Sequence, residues 1–471
     1  MTGASEFPDT GGQPAAAGSG LPAGDLTPEQ RLREAEREIL ARRPEHLIEP
    51  TLDRITDLMS LLGDPQRSYP VIHITGTNGK TSTARMIESL LRARGLRTGM
   101  FTSPHLASFR ERIAIDGEPV TAERFADIYE DIAPYVAMVD GRQPVPLSFF
   151  EVLTAMAFAA FADAPADVAV VEVGLGGTWD STNIADGAVA VITPVAIDHT
   201  KYLGETIEEI AGEKAGIIKP GAVAVLAQQH LGAAQVLMRR AAEVSATVAR
   251  EGLEFGVVSG ELAVGGQLLS LRGLRAQYDE VLLPLFGSYQ AGNAACALAA
   301  VEAFGSGQEP LGADLVREGF AQVTSPGRLE VVRRSPVVIV DSAHNPAGMT
   351  ASVAGLTEAF RFGELIAVVA VSEDKDVPAI LGELEPVVSE VVVTRNSSDR
   401  SMDPAKLAEL AGPVFGPERV RLAARLDDAI EIAVGLADEA SADLPGDAAM
   451  LVTDSIVTAG DARILLSGEA G

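Results

Sequence analysis

Residues 73–83, HITGTNGKTST, put two glycines, a lysine and a run of hydroxyls between an apolar segment and a helical one. A glycine-rich turn at such a junction aims backbone N–H groups at one spot. The helix N-terminus adds partial positive charge, so the pair suits a phosphate chain. Gly76 and Gly79 let the backbone approach phosphate oxygens, Lys80 can reach the terminal phosphates, and the Thr81 hydroxyl faces the same anion. The full G-x-x-x-x-G-K-[ST] pattern is not met, because Ile74 stands where its first glycine belongs. The segment is a shorter G-T-N-G-K-T variant. The plainer alternative is a Gly/Asn turn with a solvated lysine.

Two further places could do chemistry beside it. Glu172 ends the strand-like run DVAVVEV, and Asp198–His199 end the strand-like run AVAVITPVAI. Carboxyl ends of parallel strands are where α/β proteins bind ligands. A carboxylate and an imidazole next to a phosphate loop suit Mg²⁺ bridging nucleotide oxygens. A strand-end glutamate and a loop-capping histidine are the alternative.

The elements that must hold these residues follow from the texture of the chain. Residues 1–27 are rich in Gly, Ala, Pro and Ser and read as a disordered tail. A helix starts at Pro28 with Thr27 as N-cap, and a second covers 51–62. From Tyr69, β-branched runs alternate with helices: VIHIT, a helix from Thr81, RTGMFTS, helices near 121–138 and 148–162, then the two runs above. Such continuous apolar strands imply a parallel sheet covered on both faces. Residues 253–285 alternate and carry Gly-rich turns, a small antiparallel excursion, before a helix near 288–304. TSPGRLE at 324–330 reads as a linker. The alternation then restarts with VVIVD, LIAVVAVS, VVVTR and MLVTDS. The expected fold is α/β: an N-terminal P-loop-type parallel-sheet ATPase domain over 28–323, with the antiparallel excursion, and a smaller C-terminal Rossmann-like α/β domain over 331–471.

Composition narrows the function classes. The chain has 471 residues, 47% hydrophobic and 22% charged, which excludes disorder throughout. With 37 Lys and Arg against 66 Asp and Glu, the net charge is −29. That surface repels phosphate backbones and anionic lipid, so no nucleic acid or membrane partner is expected. A polyanionic ligand must then be held by local cations, metals or N–H groups. The single cysteine, Cys296, precludes an intrachain disulfide. No stretch approaches the ~18 uncharged apolar residues of a membrane span. The first basic residue is Arg31, with no apolar region before it, so no signal peptide is read and a cytoplasmic location is expected.

TGTNGKT closely resembles the nucleotide loop of the Mur ligase superfamily. Eight further segments resemble folylpolyglutamate synthase/dihydrofolate synthase. They are TSPHL at 102–106, ERI at 111–113, SFFEVLTAMAF at 148–158, EVGLGGTWDSTN at 172–183, DHTKYLG at 198–204, EKAGIIK at 213–219, PGRLE at 326–330 and DSAHNP at 341–346. The likeness runs in order from about residue 45 to the C-terminus.

The resemblance implies an ATP-dependent ligase that adds L-glutamate to dihydropteroate and to the tail of reduced folates through an acyl phosphate. It implies a smaller glutamate-ligase domain at the C-terminus and a monomer. ATP phosphates would lie on Thr77, Asn78, Gly79, Lys80 and Thr81, its adenosine end at Asn293, with Arg328 and Asp341 completing the site. One Mg²⁺ would use Ser103 and Glu172, and a second His199 with Lys214. A monovalent cation is a further candidate. An ammonium about 4 Å from a divalent ion is repelled by roughly 8 kcal/mol at an effective dielectric of 20. The family answer is a carbamylated Lys214, which turns a cation into a carboxylate-like ligand; an ordinary lysine paired with Glu213 is the alternative. His344 would orient glutamate or the acyl phosphate, or merely cap a turn. Arg328 could instead pair with Glu330. The pterin-type substrate would meet Glu49, Pro50, Thr51, Leu52, Ser148, Phe149, Phe150, Glu151, Trp179, Asp180 and Ser181. Phe149 and Trp179 read as faces for a flat heterocycle and Phe150 as core. Four positions depart from the family pattern: Thr178, Lys201, Gly292 and Ser342. A cell-wall Mur ligase and a non-catalytic ATP-binding protein are the competing readings.

Overall fold

The computed structural model describes residues 26–44, 47–305, 309–441 and 448–467. The tail expected over 1–27 lies outside them except for its last two residues. Thr27 does cap the helix Pro28–Leu40: its hydroxyl accepts the Gln30 N–H at 3.3 Å, and the Gln30 side chain accepts the Thr27 N–H at 2.8 Å.

The first sheet has eight strands. They are β1 (Val71–Thr75), β2 (Thr98–Phe101), β3 (Ile113–Ile115), β4 (Glu118–Pro119), β5 (Val168–Glu172), β6 (Gly187–Ile192), β7 (Val223–Leu226) and β8 (Thr247–Arg250). Their order is β4-β3-β2-β5-β1-β6-β7-β8. From β2 to β8 every pairing is parallel, and β3–β4 form an antiparallel edge. All five residues of β1 are buried, as a central strand covered on both faces requires. One face packs against the helices Lys80–Ala93 and Ser288–Phe304. The other packs against Pro28–Leu40, Asp53–Leu61, Ala122–Asp140 and Phe149–Asp163.

β6 departs from expectation. The apolar run continues to Ile197, yet the strand stops at Ile192. Pro194 has no N–H to give a ladder, and residues 193–199 instead brace the phosphate loop. Thr193 N–H donates to Thr75 O at 2.8 Å, and Thr77 N–H donates to Pro194 O at 3.0 Å. His199 therefore sits at the end of a loop, at φ +50°.

The antiparallel excursion is β9 (Gly256–Ala263), β10 (Gly266–Arg272) and β11 (Gln277–Leu283). The second sheet has β12 (Glu330–Arg334), β13 (Val337–Val340), β14 (Glu364–Val369), β15 (Glu390–Val393), β16 (Val420–Leu422) and β17 (Ala448–Thr453). Its order is β12-β13-β17-β14-β15-β16, parallel except for β12. Glu330, read as linker, is the first residue of β12. Among the described residues no helix is long and apolar enough to cross a membrane. The carboxyl ends of both parallel sheets face one cleft, and their loops line it together.

Candidate active site

The cleft holds a cavity of about 600 Å³, large enough for a nucleotide and a second substrate. Residues 77–82 line it from the first sheet and residues 341–344 from the second.

β1 delivers the chain to Gly76 at φ +150° and Gly79 at φ +86°. Gly79 caps the helix Lys80–Ala93, whose positive end faces the cavity. A Cβ on Gly76 would lie 1.8 Å from Thr193 Oγ1, and one on Gly79 would lie 2.5 Å from Asn293 Oδ1. These glycines are thus required by packing alone. Gly76→Ala is expected to lower stability by about 1–3 kcal/mol in denaturant melts and to abolish ATP binding by calorimetry. Lys80 Nζ donates to Gly76 O and Thr77 O, both at 3.2 Å. Burial lowers its pKa, while Glu172 and Asp198 oppose that.

Glu172 is 1% exposed at the end of β5. Thr81 Oγ1 donates to its two oxygens at 2.9 and 3.0 Å, and the Ser103 N–H donates at 3.3 Å. Burial raises its pKa, opposed by Lys80 and by these hydrogen bonds. A single carboxylate with hydroxyls at its side fits Mg²⁺, which keeps waters and takes phosphate oxygens. Among the described residues no three His, Cys, Asp or Glu side chains gather into a metal cage. Glu172 and Ser103 would hold one ion. The second set does not fit as it stands: it pairs the His199 imidazole with an ammonium.

That ammonium is Lys214. It ends the helix Ile207–Lys214, which the Thr206/Glu209 capping box starts. It is 3% exposed, and its Nζ donates to Gly76 O at 2.8 Å. It is not a surface lysine paired with Glu213. Burial and the Lys80 charge lower its pKa to about 7. A side chamber of about 40 Å³ joins it to Lys80, Asp198, His199 and His344. Burial lowers His199 to about 4 against the pull of Asp198.

Asp198 ties the two sheets. It accepts Lys375 Nζ at 2.9 Å and Asn345 Nδ2 at 2.9 Å. Burial works against its ionisation, but His199, Lys375 and His344 outweigh it and hold the carboxyl below the usual range. Asn345 and Asn78 exchange hydrogen bonds, both at 3.2 Å. Asn345 also N-caps the helix Pro346–Ala359, accepting the Gly348 N–H at 2.7 Å. His344 bonds Ser342 O through Nδ1 at 3.0 Å, and its Nε2 lies 3.8 Å from Asp198. Burial and Lys375 lower its pKa to about 4. Lys375 carried no sequence motif. The only signal was a charged run, SEDKD, at the carboxyl end of a parallel strand.

Arg328 is presented deliberately. Gly327 N–H donates to Glu330 at 2.7 Å, Gly327 O accepts Ser342 Oγ at 2.8 Å, and Leu329 N–H donates to Asp341 at 2.9 Å. The backbone is pinned on both sides, yet no ion pair of Arg328 occurs among the described residues. Glu330 pairs with Arg463 at 2.9 Å, not with Arg328. Asn293, Arg328 and Asp341 all line the cavity.

The substrate-side residues divide. Glu49, Thr51, Ser148, Phe150, Glu151, Trp179, Asp180 and Ser181 line the cavity; Pro50, Leu52 and Phe149 do not. The two phenylalanines are therefore the reverse of expectation. Ser148 caps the helix Phe149–Asp163. Phe149 points inward, 5.6 Å from Phe109 and 5.1 Å from the Arg112 guanidinium. Phe150, about 100° further round the helix, reaches the cavity wall. A Cβ on Gly174 would lie 2.5 Å from its ring. Ser148 and Glu151 close a capping box, and Arg54 Nε donates to Glu151 at 3.0 Å. Asp180 caps the turn Ser181–Ile184 and accepts the Leu175 N–H at 2.9 Å. Of the four departures, Lys201 and Ser342 line the cavity, while Thr178 and Gly292 do not.

Residues 74–301 match the Mur ligase middle domain, and residues 327–453 match the Mur ligase, glutamate ligase domain. The dihydrofolate synthase/folylpolyglutamate synthase of Mycobacterium tuberculosis is 52% identical over 455 residues, 92% of this chain and 93% of that one. This chain belongs to the dihydrofolate synthase/folylpolyglutamate synthase family. The folylpolyglutamate synthase of M. tuberculosis, solved with ADP, superposes with a TM-score of 0.90 at 51% identity, covering 93% of this chain and 99% of that one. A solved FPGS–AMPPCP–folate complex superposes at 0.78 and 30% identity, covering 92% and 98%. The folylpolyglutamate synthase fold thus accounts for both sheets and for the cleft between them.

Proposed function

We propose that the chain is an ATP-dependent acid–amino-acid ligase that adds L-glutamate to dihydropteroate and to the glutamate tail of reduced folates. The observation that carries this is the Arg328 guanidinium, without an ion pair among the described residues and lining the same cleft as the phosphate loop. Lys80 and the loop N–H groups hold the triphosphate, and Arg328 meets its charge from the second sheet. The γ-phosphoryl passes to the substrate carboxylate, giving an acyl phosphate and ADP. The glutamate amine then displaces phosphate. Glu172 and Ser103 would hold Mg²⁺, which would supply positive charge for the phosphate oxygens. Lys214 and His199 would hold a second ion only if the buried amine, whose pKa burial lowers, were carbamylated, since a carbamate would supply the oxygens an ammonium lacks. Lys375 and His344 face the entering amino acid, and Phe150 and Trp179 offer apolar walls to the pterin. Closing the cleft keeps water from the acyl phosphate. A division within 324–330, before β12 begins at Glu330, a monomeric state and a cytoplasmic location complete this reading.

Arg328→Ala is expected to raise the KM for ATP about 10- to 100-fold, the factor of a charge-assisted contact, with ADP affinity by calorimetry falling in parallel. The function itself is tested by ATP-dependent incorporation of labelled glutamate into dihydropteroate, a tetrahydrofolate and a UDP-sugar acceptor. Incorporation into the first two and not the third is expected. Incorporation into the UDP-sugar alone, or ATP binding with no substrate-dependent ADP release, would contradict it.

A further inference from the structure

β17 ends at Thr453, and the next residue, Asp454, is held at φ +89°. Glycine takes that conformation freely and aspartate seldom does, so an outlier here points to a site. Asp454 is 1% exposed, and among the described residues neither of its carboxyl oxygens has a hydrogen-bond partner. It lines the cleft. β17 runs between β13 and β14, so Asp454 stands between the loop bearing Asp341 and His344 and the loop bearing Lys375. Asp341 follows the neighbouring strand, its N–H donating to Val452 O at 2.9 Å, and is itself 2% exposed.

Two adjacent buried carboxylates, one without any donor among the described residues, repel each other and call for a cation. A visiting cation that brings its own N–H groups relieves them. Two carboxylates fall short of a metal cage, and no three-ligand group exists among the described residues. An ammonium needs only two or three acceptors and carries three donors. The ligase reading brings one such group into this cleft, the amine of the second substrate.

We infer that Asp454 receives the ammonium group of the incoming amino acid, beside Asp341, and takes the proton that the nitrogen must lose before it attacks. This rests on the ligase reading. One N–H proton passes to the Asp454 carboxylate. The freed nitrogen lone pair forms the bond to the acyl carbon as the C–O bond to phosphate breaks, its electron pair leaving on phosphate. The surplus N–H proton passes to solvent. Burial and the neighbouring Asp341 charge raise the Asp454 carboxyl above the usual carboxylate range, so the carboxylate that meets the ammonium is a stronger base than a solvated one.

The test uses Asp454→Asn, which keeps the shape, and Asp454→Gly, which suits the backbone. Acyl-phosphate formation is followed without glutamate, by folate-dependent positional exchange of ¹⁸O within ATP. Ligation is followed with glutamate and with hydroxylamine, an amine already neutral at pH 7. Wild type and both variants should exchange label alike, with unchanged KM for ATP. Glutamate kcat/KM should fall about 10- to 100-fold in both variants, while hydroxylamine is acylated at the wild-type rate. Unchanged glutamate kinetics, or an equal loss with hydroxylamine, would overturn the inference. Absent exchange in the wild type would instead contradict the ligase reading and remove its basis.

Discussion

Lys80→Ala is expected to lower kcat for glutamate ligation by about 10²–10³-fold or more, the loss that follows removal of a preorganised charge at a reacting oxygen. Its ammonium is curled over the loop, on the carbonyls of Gly76 and Thr77. Those bonds hold the side chain over the loop, where the ligase reading puts a terminal phosphate. The chain's net charge of −29 makes this local cation harder to replace. The helix that follows should survive, because Gly79 is its N-cap and Lys80 gives its backbone no side-chain cap. Circular dichroism should therefore match wild type while turnover and ADP affinity are lost. A variant within tenfold of wild type would remove Lys80 from the chemistry.

Lys214→Ala is expected to cost activity on the same scale. The side chain reaches its chamber from the end of the helix Ile207–Lys214 and shares it with His199 and Asp198. An unmodified ammonium there faces Lys80, which already lowers its pKa. Conversion to a carbamate removes that repulsion and adds two oxygens. Equilibration with ¹³C-labelled bicarbonate should give a carbamate carbon signal in wild type and none in the variant. Added short carboxylates should restore part of the variant's rate. Wild-type rates in Lys214→Ala, or no carbamate signal in an active enzyme, would contradict this role.

The parts of the site legible in the sequence are those that are local. β1, the glycine turn and the helix from Lys80 lie within one short segment, where residue type and order carry the geometry. Glu172 was legible because a buried parallel strand must end at a loop. His199 was found, though on the wrong element, because an apolar run past Pro194 still looks like a strand. Phe149 and Phe150 were exchanged because one residue of helical phase decides which ring faces the cavity. The cap at Ser148 sets that phase. Lys375 was missed because its partner, Asp198, lies 177 residues away. Only the cleft between the sheets brings them together. Asp454 stayed hidden for a like reason: its lack of partners exists only once β13, β17 and β14 stand side by side. The edge strands β3 and β4 were too short for any alternation to register.

The most direct test follows the oxygen. Dihydropteroate labelled with ¹⁸O in its reacting carboxylate should be ligated with ATP and L-glutamate, and the released phosphate analysed by mass spectrometry. Transfer of one ¹⁸O atom to inorganic phosphate, with ADP as the other nucleotide product, is the predicted result. Unlabelled phosphate, or release of AMP and pyrophosphate, would contradict the account.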